Sequence, residues 1–352
     1  MRLERLIDLM TQHDMEHLIV SDPVAIEYLT EVKFKTDERL LIFLVDAAGQ
    51  HRFFLNQLIP VADFPFPVEW YSDTDRPIER LAQVLGEGKI GIDKNWPAHF
   101  LIDLLRQKPT VQLEHGSDLI DSLRQRKDEV EIEGMRLASA LNDLAMEQLI
   151  GEISPGMTEK DVIARLEEIY QEVGSDGFSF EPIVGYDDHS ADPHHQPDDT
   201  ELGQGAVVLD IGCRKDGFCS DMTRTIYIGE PDDEFRRVYE IVRAANLNAI
   251  AAIRPGVPFS EIDAAARDTI TAAGYGEYFI HRTGHSIGRE VHEAGDVSST
   301  NHQPVEEGMI FSIEPGIYLP GKFGVRIEDL VLVTSDGVEV LNYAGKDLRS
   351  IS

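Results

Sequence analysis

A mixed α/β (α+β) fold in two domains is predicted by three features of the chain. Helix-spaced and strand-like segments alternate through its first third, a long charged helical stretch follows, and two β hairpins beyond it carry paired acids among apolar residues. The 352 residues suffice for one large or two ordinary domains, and an apolar fraction of 42% is enough for sizeable cores.

In the first third, Leu3, Leu6, Ile7 and Met10 recur at helical spacing, so residues 3–12 are expected to be helical. A short strand at Leu18–Ser21, a helix at Val24–Leu29 and a strong strand at Arg39–Val45 come next. Asp46-Ala47-Ala48-Gly49 reads as a turn into a strand around His51–Leu55. Pro77 suits the first turn before a helix at Ile78–Leu85, where its missing N–H is harmless. Lys89–Asp93 reads as a strand and Ala98–Arg106 as a helix. This alternation predicts a small α/β domain over residues 1–120 and a second domain over 121–352.

Leu119–Ile153 is read as a charged, helix-rich junction that ends at Ser154-Pro155-Gly156. A weak repeat follows. Pro155-Gly156 precedes a helix at Val162–Tyr170 and then Gly174, and Pro255-Gly256 precedes a helix at Ile262–Ala272 and then Gly274. The offset is one hundred residues at both landmarks. Chance yields such spacing; so do two related halves packed about a pseudo-twofold axis.

A net charge of −32 disfavours nucleic acid and anionic membranes as partners, because both repel an acidic protein. The N-terminal run alternates apolar and charged residues, unlike a signal peptide, and no run approaches the ~18 apolar residues of a membrane span. A cytoplasmic location is the expectation. Cys213 and Cys219 flank one turn and are expected as reduced thiols, since a secreted disulfide scaffold carries more cysteines.

The most informative segment runs from Val207 to Ile228. Two β-rich runs flank Lys215-Asp216-Gly217, a hairpin signal. Asp210 and Asp221 are equidistant from the Lys215/Asp216 junction and are expected to face each other across the hairpin. Two like charges so placed destabilise a sheet unless a cation lies between them. A second hairpin repeats the construction, with Glu314 and Glu328 symmetric about Gly321. One acid in an apolar strand is usually exposed; two symmetric pairs favour metal. Oxygen ligands favour Mg²⁺, Mn²⁺ or Ca²⁺, and an added imidazole moves the preference toward Mn²⁺, Fe²⁺, Co²⁺ or Zn²⁺. His285 is the candidate imidazole, with Gly284 and Gly288 nearby to allow close backbone approach.

With these residues in place, the chain resembles the pita-bread metallopeptidases: methionine aminopeptidases, aminopeptidase P and, most of all, prolidase. The resemblance rests on LDIG (Asp210), SDMTRT (Asp221), GHSIG (His285), SIEPGIY (Glu314) and VRIED (Glu328), and it spans nearly the whole chain. Asp37-Glu38-Arg39-Leu40-Leu41 resembles the creatinase-type N-terminal domain.

The resemblance implies a C-terminal pita-bread domain with a pseudo-twofold repeat, and two divalent ions, manganese first and cobalt, zinc or iron as alternatives. Asp221 and Glu328 would bridge the ions, Asp210 would hold one, and His285 and Glu314 the other. Glu314 would also act as proton carrier. His194 and His292 match the two catalytic histidines that hydrogen-bond substrate, although His195 stands where the family commonly has glycine. His281 and Arg326 match positions lining the substrate pocket, with Arg326 also a catalytic candidate or a structural counter-ion to Glu328. Thr223 would support a carboxylate ligand.

The implied activity is hydrolysis of Xaa-Pro dipeptides. The alternative is aminopeptidase P action on longer Xaa-Pro peptides, which the short N-terminal domain disfavours. A binding module that has lost its ligands, a metal-free creatinase and an esterase are rivals on the same fold. Relatives form homodimers, and the Thr30–Thr36 loop, with Lys33 and Lys35, is a candidate to reach a second subunit's site.

Overall fold

The computed structural model describes residues 2–35, 38–60 and 65–351. Contacts divide the chain into two compact units, Met1–Arg124 and Gln125–Ser352.

The first unit contains α1 (Arg2–Gln12), β1 (Met15–Val20), α2 (Pro23–Thr30), β2 (Ile42–Asp46), β3 (Arg52–Asn56), β4 (Val68–Tyr71), α3 (Pro77–Val84), β5 (Lys89–Ile92), α4 (Ala98–Gln107), β6 (Gln112–His115) and all but the last residue of α5 (Ser117–Gln125). Its mixed sheet has the order β4-β3-β2-β1-β5-β6. Strand β2 reads as an unbroken apolar run because both faces are covered: Phe43 and Val45 pack into one cluster, Ile42 and Leu44 into another. The edge strands β4 and β6 escaped prediction because most of their side chains are exposed or half-buried, leaving no burial pattern to read. Thr36 and Asp37, which belong to the Thr30–Thr36 loop and the Asp37–Leu41 run, lie outside the described residues.

The second unit contains α6 (Glu129–Glu152), α7 (Glu159–Glu172), β7 (Ile183–Tyr186), β8 (Gly205–Ile211), β9 (Arg214–Lys215), β10 (Phe218–Cys219), β11 (Met222–Ile228), α8 (Asp233–Ala252) and α9 (Phe259–Ala272). The chain continues through β12 (Gly284–Ser286), β13 (Glu293–Val297), β14 (Ile310–Ile313), β15 (Gly316–Leu319), β16 (Phe323–Arg326), β17 (Asp329–Val333), β18 (Val338–Val340) and β19 (Ser350–Ile351). Its main sheets are β19-β11-β8-β7 and β13-β12-β14-β17-β18.

The helix-rich stretch Leu119–Ile153 is made of two helices, α5 and α6. Asp128 ends the continuity by capping α6: its carboxylate accepts from Glu131 N at 2.9 Å, and Glu131 Oε2 accepts from Asp128 N at 3.2 Å. This reciprocal box starts a helix afresh.

The repeat is structural. Helices α7 and α9 begin and end one hundred residues apart. Gly156 and Gly256 share positive φ values of 89° and 90°. Their N–H groups donate to Leu202 O and Val305 O, both at 2.8 Å. In the longer helices, Asn142 donates to Ile211 O and Asn246 to Ile313 O, both at 2.9 Å. Each half thus braces the backbone beside one acid, Asp210 or Glu314.

The first hairpin corrects the expected register. Asp216 and Gly217 have φ values of 51° and 86° and form the two-residue turn. Positive φ at both positions matches the twist of the flanking strands. The hairpin centre therefore falls between Asp216 and Gly217, Lys215 pairs with Phe218, and Asp210 faces Thr223 instead of Asp221. The error is two residues. Side chains alternate with period two, so the shift leaves the acids on one side of the hairpin. In the second hairpin the pairs Ile313↔Asp329 and Gly316↔Arg326 belong to one register. Continued through the gap between those ladders, that register sets Glu314 across from Glu328.

Gly217→Ala should cost about 1 kcal/mol, because alanine resists positive φ. Urea unfolding checks this, and Lys215→Ala, outside the turn, should leave the midpoint nearly unchanged.

Candidate metal centre

The five residues expected as ligands, Asp210, Asp221, His285, Glu314 and Glu328, line one cavity of about 640 Å³. Asp210 closes β8. Its Oδ2 accepts from Arg326 Nη2 at 2.6 Å, while Oδ1 is buried without a donor. Asp221 stands just before β11 with Oδ1 likewise unsatisfied. Glu328 enters from the other half. Its Oε2 accepts from Thr223 Oγ1 at 2.7 Å, and its Oε1 has no donor. Ligand atoms of Asp221, His285 and Glu328 all lie within 4.8 Å of one another.

His285 sits on β12, where Ser312 Oγ accepts its backbone N–H at 3.0 Å. The close approach requires Gly284, because a Cβ there would lie 1.9 Å from Ser312 O. The imidazole Nδ1 faces Ser286 O at 3.3 Å, which assigns the proton to Nδ1. The Nε2 lone pair then faces Asp221 Oδ2 and Glu314 Oε1, each at 3.5 Å. A lone pair aimed at two carboxylates is repulsive unless a cation lies between them.

Protonation tells the same story. Burial holds the Asp221 and Glu328 carboxyls well above the usual range, and neighbouring acid charges add to it. Burial lifts Glu314 from an ordinary 4.5 to about 7, against the pull of Arg326. Burial also pushes His285 down to about 3, with His292 adding to the effect, so the imidazole is neutral at pH 7 and keeps a free lone pair. Three orphaned carboxylate oxygens and one free imidazole lone pair fit divalent cations.

The surrounding residues hold the acids in place. Thr223 Oγ1 accepts from Arg326 Nε at 3.0 Å while donating to Glu328. The Arg326 guanidinium also donates to Tyr318 OH at 2.9 Å. Arg326 is therefore the counter-ion of Asp210; the expected pairing with Glu328 is replaced by one relayed through Thr223. His281 Nδ1 donates to Arg282 O at 2.7 Å, and its Nε2 meets Tyr318 OH at 2.8 Å. Burial, with Arg326 adding to it, lowers His281 to about 4. His292 lies edge-on to His285, with ring centroids 4.3 Å apart. His194 lines the same cavity from an exposed loop, together with Phe180, Ile183, Pro193, Arg282 and Val291.

Tyr318 and Arg224 were missed in the sequence. Tyr318 lies within the quoted SIEPGIY run, but its partners approach from outside that run. Arg224 is buried, donates to Glu328 O at 2.6 Å and pairs with Asp329 at 2.8 Å. Its place in SDMTRT gave no sign of burial. Cys213 and Cys219 are free, and burial raises their thiols to about 11 and about 12.

The fold and this centre define a metallopeptidase, and comparison with known proteins gives its family. Residues 133–335 match the model of metallopeptidase family M24, and residues 2–126 match the Creatinase/Prolidase N-terminal domain. The chain belongs to metallopeptidase family M24. It is 36% identical to an uncharacterized peptidase of Staphylococcus aureus, over 98% of this chain and 99% of that one. Among solved structures it resembles a dipeptidase from Pyrococcus horikoshii (36% identity, 100% of both chains, TM-score 0.93). It also resembles a prolidase from Thermococcus sibiricus (33% identity, 99% and 98% of the chains, TM-score 0.93). Among the described residues, no helix is long and apolar enough to cross a membrane.

The raised carboxyls make the metal-free fold sensitive to pH. A carboxyl that binds its proton more tightly when folded contributes stability at low pH, and that contribution is lost as pH rises through the folded value, about 7 for Glu314. Chelator-stripped protein should therefore lose thermal stability from about pH 5 to about pH 8, and saturating Mn²⁺ should restore it. The difference in Tm between the two forms should widen across that range. A flat or narrowing difference would contradict the centre.

Proposed function

We propose that this chain is a metal-dependent Xaa-Pro dipeptidase. The observation that carries the reading is the convergence of four carboxylates and one neutral imidazole on a single cavity, with three carboxylate oxygens unsatisfied. The named resemblances to a dipeptidase and a prolidase support the same activity.

Asp210, Asp221, His285, Glu314 and Glu328 would hold two divalent ions. Manganese is the proposed metal, since the donor set is mostly hard oxygen with one imidazole. When bound, the ions would supply charge to polarise the scissile carbonyl and make a water acidic enough to attack it.

The remaining work falls to side chains. Glu314 would accept the proton of the attacking water and deliver it to the leaving nitrogen. It is suited to this because its side chain is 17% exposed, against 12% for Asp210 and 6% for Asp221, while Glu328 is buried. His292 and His194 would hydrogen-bond the substrate and the developing oxyanion. His281, neutral at pH 7, and Arg326 would line the substrate end of the pocket. A prolyl peptide bond has no N–H, and the apolar walls at Phe180, Ile183, Pro193 and Val291 suit its ring. On the family resemblance, we extend the proposal to a homodimer.

Chelator-stripped protein should cleave Leu-Pro only after Mn²⁺ is added, and His292→Ala should lower kcat by roughly 100-fold or more. Cleavage of Leu-Pro-Pro but not Leu-Pro would replace the dipeptidase reading with aminopeptidase P. Cleavage of neither with any divalent metal would overturn the proposal.

A further inference from the structure

A second group of polar side chains lies outside the metal centre. Glu159 is the first residue of α7 and is fully buried. Its Oε1 accepts from Tyr186 N and His189 Nδ1, both at 3.0 Å. Its Oε2 accepts from His195 Nε2 at 2.7 Å and Asp198 N at 2.9 Å. The two imidazoles stack with centroids 4.2 Å apart. Every donor comes from one segment, residues 186–198, and within it His194 and Gln196 line the cavity.

Three carboxylate oxygens of the metal centre lack donors, whereas both oxygens of Glu159 accept two N–H groups each. This chemistry is a hydrogen-bonded clamp, not a cation cage. Because a carboxylate only accepts, each imidazole must present an N–H to it, which fixes both rings. The anchors bracket His194 at positions 189 and 195, and Asp192 Oδ1 accepts the His194 backbone N–H at 3.0 Å.

The internal repeat shows that the helix pair does not itself need this carboxylate. One hundred residues on, Phe259 is the first residue of α9 and is equally buried. The backbone N–H of Glu159 donates to Thr200 O, and that of Phe259 donates to Gln303 O, in the corresponding place. The same helix start thus tolerates a purely apolar side chain. The other half brings His281, His285 and His292 to the cavity without such an acid, so the Glu159 carboxylate serves the loop of its own half, the one that carries His194.

We propose that Glu159 is a positioning residue that, through His189 and His195, fixes the loop presenting His194 to substrate. The proposal rests on the peptidase reading above for its kinetic consequence. The test is a double-mutant cycle with His195→Phe, which keeps a stacked ring and deletes the donor, and His194→Ala. In the Mn²⁺-loaded protein, His195→Phe should lower kcat/KM for Leu-Pro roughly ten- to a hundredfold with metal content unchanged. His195→Gln, which keeps an N–H, should recover most of that loss. On the His194→Ala background the same substitution should cost less than about twofold, because its effect passes through His194. An equal loss on both backgrounds, or no loss in His195→Phe, overturns the proposal. If His195→Phe does not fold, Glu159→Gln takes its place in the same cycle with the same outcomes. Should the wild type cleave no Xaa-Pro peptide, the functional reading fails separately. Amide exchange then decides the anchoring: faster exchange across residues 187–198 in His195→Phe supports it, and unchanged exchange overturns it.

Discussion

Mutual repulsion among buried carboxylates is the constraint on which the second unit depends. Two such charges within 4.8 Å repel by roughly 3–4 kcal/mol at an effective dielectric near 20. The fold offsets part of this with Arg326, which neutralises Asp210 directly and reaches Glu328 through the Thr223 hydroxyl. The oxygens that remain without donors are the ones available to cations. Burial already favours the protonated form of Asp221 and Glu328, and this repulsion adds to it, so without metal their carboxyls sit well above the usual range.

The two halves are tied to each other at this point. Asp210 and Asp221 come from the first hairpin, Glu314 and Glu328 from the second. Arg224 on β11 grips the start of β17 through Glu328 O and the Asp329 carboxylate. Burial alone would raise Asp329, but Arg224 and Lys346 overcome it and hold the group ionised below its ordinary range. This buried pair keeps the hairpins in register with each other, so the geometry of the centre depends on packing well beyond its ligands.

Much of this was legible in the sequence because it is local and periodic. Alternating apolar segments marked most elements of the first unit, and the one-hundred-residue offset marked the duplicated helices. The acids stood out because strands rarely tolerate them. The register of the first hairpin was misjudged because Lys215-Asp216-Gly217 offers three turn residues, and only backbone φ shows which two form the turn. Tyr318, Arg224 and Glu159 were invisible for another reason. Each owes its role to partners distant in the chain, and a buried arginine or glutamate looks like a solvated one until those partners are in place. Edge strands β4 and β6 lacked the burial that produces a pattern.

The most direct test of the account is metal stoichiometry. Chelator-stripped protein would be titrated with Mn²⁺ by calorimetry, beside the Glu328→Ala variant. The account predicts two ions per chain in the wild type, with proton release that grows as pH falls below about 7, and loss of at least one ion in the variant. Absence of binding in the wild type, or unchanged binding after Glu328 is removed, would contradict it.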